Sequence, residues 1–255
     1  MRVTVLGCGT SSGVPRVGND WGTCDPAEPR NRRRRVSILV EHQGTRVLVD
    51  TGPDLREQLI DADVAAVDAV IWTHDHADHC HGIDDLRQVY HHRSGSPVPG
   101  YARQETFDTL LGRFGYIFAG NGDYPPVSSL ALLLDDIEVG SLAIRTVDQP
   151  HGEITSAGLR FDADGCSVAY STDVSGLTDD MLALFSGVDL WIVDALRRRP
   201  HPSHASLSEA LGWIEIVRPR RALLTHLDQS MDYRELLSEL PNGVEPAFDG
   251  QQVSL

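Results

Sequence analysis

Val70-Ile71-Trp72-Thr73-His74-Asp75-His76-Ala77-Asp78-His79 is the stretch on which the reading of this chain turns. An apolar run of strand length passes directly into three imidazoles and two carboxylates within six residues. Such a mixture makes a poor core and a poor helix, but it suits metal, because imidazole nitrogen and carboxylate oxygen together match zinc, manganese or iron. The strand fixes where the cluster begins. His74 and His76 then point to one side, while Asp78 and His79 curl round to another position as the chain enters a helix. One short segment can thereby serve two adjacent metals.

Other polar residues stand where apolar strands end. Asp50-Thr51-Gly52 follows Val47-Leu48-Val49, His151-Gly152 comes shortly after a strand ending at Val147, Asp173 follows Ala169-Tyr170-Ser171-Thr172, and His226 follows Leu223-Leu224-Thr225. Any one of these alone reads as a cap or a satisfied histidine. Side chains at the ends of neighbouring strands converge on one rim of a sheet, however, and the set together with residues 74–79 reads as a metal site.

Apolar runs of strand length recur at 3–6, 36–40, 47–49, 69–72, 130–134, 142–147, 168–170, 190–193 and 222–224. Helical periodicity fits 54–60, 83–91, 105–114, 179–185, 207–217 and 233–240. Gln43-Gly44 marks a hairpin turn, and Ser206 with Glu209 three residues later forms a capping-box signature. The stretches 16–31 and 114–128 are the least regular, and either is placed to cover a site. There is no repeat, low-complexity tract or clear linker, and 255 residues suffice for a full core. A single α/β domain over 1–255, with two sheets covered by helices, is the simplest fit.

With 37 acidic side chains against 22 Lys and Arg, the net charge is −15, which disfavours a nucleic acid partner. The dense basic runs, Arg32-Arg33-Arg34-Arg35 and Arg197-Arg198-Arg199, read as solvated loops. Four cysteines without CxxC spacing give neither a disulfide framework nor a thiolate zinc motif, and reduced, cytoplasmic thiols are the expectation. The first apolar stretch is too short for a signal peptide, and no run approaches a membrane span.

His74-x-His76-x-Asp78-His79 followed by His151, Asp173 and His226 resembles the ligand set of the metallo-β-lactamase superfamily, with spacings that suit its phosphodiesterase branches. The resemblance extends along nearly the whole chain. Gly7-Cys8-Gly9-Thr10-Ser11-Ser12-Gly13-Val14-Pro15, Asp50-Thr51-Gly52-Pro53-Asp54, Gly82-Ile83-Asp84-Asp85-Leu86-Arg87, Tyr170-Ser171-Thr172-Asp173 and Thr225-His226 look like the PhnP-type cyclic phosphodiesterases, which act on phosphoribosyl 1,2-cyclic phosphate. The glycine-rich start lacks the Gly-Lys-Ser/Thr ending of a phosphate loop and reads as a tight strand-exit turn.

The resemblance implies an αββα sandwich, two mixed sheets flanked by helices, with two divalent ions (zinc or manganese, iron also compatible) between the sheet edges. His74, His76 and His151 would hold one, Asp78, His79 and His226 the other, and Asp173 would bridge them. Asp50 would orient a ligand histidine through its other ring nitrogen. In the family, the histidine at the position of His204 assists catalysis, so His204 is assigned that role, with His201 as a bystander. Asp75 is left outside the ligand set, where it would assist a shared hydroxide. A homodimer is also a family expectation. Family members often carry a structural zinc on a cysteine cluster near the start and a histidine three residues after the last ligand. Here that loop offers only Cys24, and Gln229 stands at the C-terminal position, so no Cys-ligated structural zinc is expected.

The expected activity is hydrolysis of small, cyclic phosphodiesters by a dimetal centre. The alternatives are a tRNA 3′-processing nuclease, which the charge disfavours, a thioester hydrolase or a β-lactamase, in the latter of which a cysteine often stands at the position of Asp173, and a PqqB-like or non-catalytic binding member.

Overall fold

The computed structural model describes residues 1–255 and contains two seven-stranded sheets packed face to face. The first comprises β1 (Arg2–Gly7), β2 (Ser37–His42), β3 (Thr45–Val49), β4 (Ala69–Trp72), β5 (Val98–Ala102), β6 (Ser128–Leu132) and β14 (Gln252–Ser254), in the order β14-β1-β2-β3-β4-β5-β6. The second comprises β7 (Asp136–Val139), β8 (Leu142–His151), β9 (Ile154–Ala163), β10 (Cys166–Ser171), β11 (Leu190–Asp194), β12 (Arg221–Thr225) and β13 (Val244–Pro246), in the order β13-β12-β11-β10-β9-β8-β7. Each sheet is half antiparallel and half parallel. β1, β2 and β3 form a meander that continues into parallel β4, β5 and β6, and β7 to β10 form a meander that continues into parallel β11, β12 and β13.

Hydrophobic patterning explains the layers. Alternate residues such as Val3, Val5, Ile38, Val40, Val47 and Val49 meet Ile144, Leu159, Phe161, Tyr170 and Ile192 between the sheets. The opposite faces are also apolar and are covered by helices. On the first sheet lie α1 (Leu55–Asp61), α3 (Leu86–His92) and α4 (Gln104–Ala119); on the second lie α5 (Asp179–Phe185), α6 (Leu207–Val217) and α7 (Tyr233–Glu239). This is the expected αββα sandwich. Strands buried on both faces read as continuous apolar runs, which is why the central strands are plain in the sequence.

Several local signals act as read. Gln43 and Gly44 both adopt positive φ, 46° and 85°, the requirement of a two-residue type I′ hairpin. The Ser206 hydroxyl accepts from the Glu209 amide while the Glu209 carboxylate accepts from the Ser206 amide, closing the capping box at the start of α6. Other expectations are corrected. Residues 114–119 are not irregular: α4 continues to Ala119 across a kink at Phe114 (φ −125°, ψ 28°). β6 begins two residues earlier than the apolar run suggested, β5, β7, β9 and β13 carry too much Pro, Gly or charge to stand out, and β14 is only three residues long with one apolar side chain. In β5, Gly100 is required by packing, since a Cβ there would lie 2.5 Å from the Trp72 ring and 2.7 Å from the Ser129 carbonyl.

The arginine run is no solvated loop either. Arg33 is 2% exposed, Arg34 pairs with Asp61 at 2.7 Å and Arg35 with Asp54 at 3.0 Å, leaving Arg32 outermost over the Trp21 ring. Arg198 pairs with Glu235 and Glu239 on α7. No helix is long and apolar enough to cross a membrane.

Candidate metal centre

Parallel strands deliver their C-terminal ends to one rim, where ligands of α/β sheets collect. From the first sheet, β3 ends before Asp50 and its parallel neighbour β4 ends before Thr73 and His74. The chain then forms the single turn α2 (Ala77–Cys80), which carries Asp78 and His79. From the second sheet, β8 ends at His151, β10 just before Asp173, β11 at Asp194 and β12 just before His226. Two indoles brace these ends: Trp72 Nε1 donates to Thr51 Oγ1 at 2.8 Å, and Trp191 Nε1 to Ser171 Oγ at 3.0 Å, each tryptophan being fully buried.

All seven residues expected as ligands meet between the two rims. Asp173 stands at their centre. Its Oδ1 lies 3.8 Å from His74 Nε2 and 3.6 Å from His151 Nε2, and its Oδ2 lies 3.1 Å from His79 Nε2 and 3.6 Å from His226 Nε2. The two oxygens of one carboxylate thus face different histidine pairs. His76 Nδ1 approaches His151 Nε2 at 3.3 Å on the first side, and Asp78 Oδ2 approaches His79 and His226 at 3.4 and 3.7 Å on the second. One donor atom from each of His74, His76, His151 and Asp173 falls within a 4.8 Å cluster, as does one from each of Asp78, His79 and His226.

The second ring nitrogens are tied down. His79 Nδ1 donates to Asp50 Oδ2 at 2.7 Å and His151 Nδ1 to the Ser203 carbonyl at 2.7 Å, which leaves each Nε2 lone pair directed at the cluster. His74 Nδ1 lies 3.1 Å from Thr73 Oγ1, and that hydroxyl donates to Asp50 Oδ2 at 2.8 Å. Asp50 therefore steadies one histidine of each group, one directly and one through Thr73.

Buried polar atoms without partners carry the test of metal fit. His74 Nε2, His79 Nε2 and both nitrogens of His226 are buried with no hydrogen-bond partner. A buried, unsatisfied polar atom costs roughly 1–3 kcal/mol, so several in one place need an occupant. Nitrogen and carboxylate oxygen donors of this kind suit a divalent transition ion, and the residues fit one on each side of Asp173.

Charge differs between the two sides. Burial disfavours charge on His79, but Asp173, Asp78 and Asp50 outweigh it and hold its pKa well above the ordinary range. Burial is likewise overcome at His226, raised to about 9 by Asp173 and Asp78. On the other side, burial keeps His74 and His151 below the ordinary value. At Asp173 burial is outweighed by His226 and His79, so the carboxyl lies well below its usual range.

His204 sits at the same centre. Its ring stacks on His226 at a centroid distance of 4.6 Å, and Nδ1 donates to Asp194 Oδ2 at 2.8 Å while lying 3.8 Å from Asp173 Oδ1. His201 is adjacent, 5.0 Å from His204 by ring centroids, with Nδ1 turned back to the Ser203 amide and hydroxyl. Asp75 lies apart from the imidazoles: Arg113 of α4 holds its carbonyl and pairs with its carboxylate at 3.1 Å. Asp194 is a site residue that the sequence reading missed. It is fully buried beneath His204, its Oδ1 4.0 Å from His226 Nδ1. Its signal was available, since it ends the apolar run 190–193 as Asp50 ends 47–49.

Residues 45–227 match the family model of the beta-lactamase superfamily domain, and the chain belongs to that superfamily. Within it, the chain is similar over its whole length to a diphosphatase from the PhnP family. The crystal structure of that protein is 35% identical with a TM-score of 0.89, covering 99% of this chain and 97% of that one. An octanoyltransferase of Porphyromonas gingivalis is 32% identical over 257 residues, which is 98% of this chain and 51% of that protein, so the chain spans about half the length of this relative. Zinc-bound PqqB from Methylobacterium extorquens (19% identity, TM-score 0.81, 100% of both chains) and the short form of human tRNase Z (20% identity, TM-score 0.73, 100% and 99%) share the fold.

Proposed function

We propose that this protein is a dimetal phosphodiester hydrolase acting on small, cyclic phosphodiesters. The observation that carries the reading is the Asp173 carboxylate, whose Oδ1 faces His74 and His151 and whose Oδ2 faces His79 and His226. In this reading His74, His76 and His151 would hold one ion and Asp78, His79 and His226 the other, with Asp173 between the two groups. Zinc, manganese and iron all accept such donors. Two divalent ions so held supply a nucleophilic water of lowered pKa and neutralise charge on phosphoryl oxygens.

The chain's own groups supply the rest. Asp194 holds the Nδ1 proton of His204 at 2.8 Å, so Nε2 is the atom left to carry a proton to the departing oxygen. Asp194 is buried and takes the Val174 amide at 3.2 Å, so its orientation is fixed before substrate arrives. Asp75, in the same reading, acts from outside the ligand set, with Arg113 setting its orientation. Substrate is small and anionic, and a net charge of −15 disfavours gripping a polynucleotide.

The test is a hydrolysis panel on protein of measured metal content: bis(p-nitrophenyl) phosphate, a ribosyl 1,2-cyclic phosphate, 2′,3′-cyclic nucleotides, a diphosphate ester, precursor tRNA and a β-lactam. Turnover of the cyclic diesters above the others is expected. Preference for the diphosphate ester would replace the substrate class, and cleavage of precursor tRNA at physiological salt would favour the nuclease reading. Two tightly bound metals with no turnover of any phosphate ester would leave the PqqB-like or non-catalytic binding reading.

A further inference from the structure

Arg33 carries a buried guanidinium that the proposed reaction does not use. The side chain is 2% exposed and has no carboxylate within ion-pair distance. Its two Nη groups instead gather neutral acceptors, while Nε has no partner: Nη2 reaches the Met231 carbonyl at 2.6 Å and Asn31 Oδ1 at 3.4 Å, and Nη1 reaches the Asp228 carbonyl at 3.2 Å and the Cys24 sulfur at 3.9 Å. A buried cation without a counter-ion is costly, so this one is retained for what it holds.

It holds the segment that leaves His226. Asp228 and Met231 are two and five residues beyond that histidine, and His226 itself adopts φ 60°, a left-handed conformation uncommon for a non-glycine residue. Around Arg33 the same two loops are joined repeatedly. Asn31 Nδ2 donates to Asp232 Oδ2 at 2.6 Å, its Oδ1 accepts from the Tyr233 amide at 2.8 Å, and the Thr23 amide donates to the Gln229 carbonyl at 2.9 Å. Gly22 packs so closely that a Cβ would lie 2.4 Å from Gln229 Cγ. In contrast, the histidines opposite are fixed elsewhere, His151 by Ser203 and His74 by Thr73.

We propose that Arg33 is a positioning residue: its guanidinium ties the 16–33 loop to residues 228–231 through the Asp228 and Met231 carbonyls, and so sets the affinity of the Asp78, His79 and His226 group for its metal. The inference rests on the dimetal reading. His226 has no hydrogen bond at either ring nitrogen, so nothing but its backbone and packing aims it. Releasing the carbonyls of Asp228 and Met231 would let the left-handed turn relax and carry the imidazole out of line.

The experiment is stepwise zinc titration against a chromophoric chelator on metal-stripped protein, for wild type, Arg33→Met and, as a control on the same loop, Arg30→Met. Each is repeated in the His226→Ala background to assign the steps. Two steps are expected in wild type and in Arg30→Met. Arg33→Met should weaken by at least tenfold the one step that His226→Ala removes, and leave the other within twofold. Loss of both steps in parallel, or neither, in a variant with wild-type circular dichroism overturns the inference. If Arg33→Met does not fold, Arg33→Lys, which keeps the charge but cannot span two carbonyls, is read by the same criterion. Fewer than two steps in wild type would overturn the dimetal reading and, with it, the role assigned to Arg33; two intact steps in the variant would overturn only that role.

Discussion

If the proposed dimetal reading holds, replacing Asp50 by Asn should weaken binding of both metals, and unequally. Asp50 is fully buried at φ 65°, a conformation Asn tolerates as well as Asp, so the backbone is a constant of the experiment. Its carboxylate accepts from the Thr73 amide at 2.8 Å, the Thr73 hydroxyl at 2.8 Å and His79 Nδ1 at 2.7 Å. An amide cannot serve all of these. If its oxygen stays on the Thr73 amide, its NH2 faces His79 and forces the proton to Nε2, removing the lone pair that would bind metal. If its oxygen stays on His79, its NH2 opposes the Thr73 amide and leaves a buried donor unsatisfied, at about 1–3 kcal/mol. Either way the loss corresponds to roughly 10–100-fold in metal affinity, the range found for groups that orient ligand histidines. The greater part should fall on the ion held by His79 and a smaller part on the ion held by His74, which Asp50 reaches only through Thr73. Chelator competition on metal-stripped protein reads both steps. Affinities within twofold of wild type in a folded variant would refute the reasoning, as would a loss confined to the His74 side.

His204→Ala should keep two metals while turnover of the preferred diester falls by about 10²–10⁴, the usual contribution of a general acid; unchanged turnover removes His204 from the mechanism. Asp173→Ala, by contrast, should lose metal together with activity, read by elemental analysis after dialysis. A pH effect is expected at Asp249, where burial lifts the carboxyl to about 6 against its accepting bonds from the Arg34 and Cys8 amides. The folded protein then keeps a proton that the unfolded chain releases, so this group's stabilisation is full below about pH 4 and is lost as pH rises through about 6, by ~3 kcal/mol at ~1.4 kcal/mol per unit. In urea denaturation, the stability of wild type minus that of Asp249→Asn should accordingly shrink between pH 4 and pH 7, and a difference that is flat or grows would contradict it.

What the sequence disclosed follows from how strongly each feature is dictated locally. The central strands were legible because burial on both faces leaves an unbroken apolar run, as in Ala69–Trp72 and Leu190–Asp194. α6 was legible to the residue because its cap and its periodicity agree. β9 was not: Arg160 and Asp162 face outward and pair with each other, while Gly158 lies against Gln149, so neither periodicity nor composition marks a strand. The candidate ligands were legible because imidazoles and carboxylates at strand ends have few other uses. Arg33 was misread for the opposite reason. Four consecutive arginines look like solvent-exposed charge, and only the fold reveals that carbonyls from residues 228 and 231 close over the second of them. Asp75 lay inside the most telling motif, yet its partner, Arg113 on α4, is distant in sequence and gave no local sign.

Three residues of the centre share a backbone state that bears on why it is built this way. Asp50, Asp173 and His226 have φ of 65°, 53° and 60°, and each follows the end of a strand, in two different sheets. Left-handed geometry costs a non-glycine residue roughly 1–2 kcal/mol, less for Asp, and glycine would adopt it freely. Three such positions converging on one cluster are therefore occupied against the local preference of the chain. The gain must come from the side chains. For Asp50 it is visible as bonds to Thr73 and His79, and for Asp173 as four imidazoles around one carboxylate. For His226 no protein hydrogen bond offsets it. In the proposed dimetal reading, the compensation is an ion that His226 would share with Asp78 and His79.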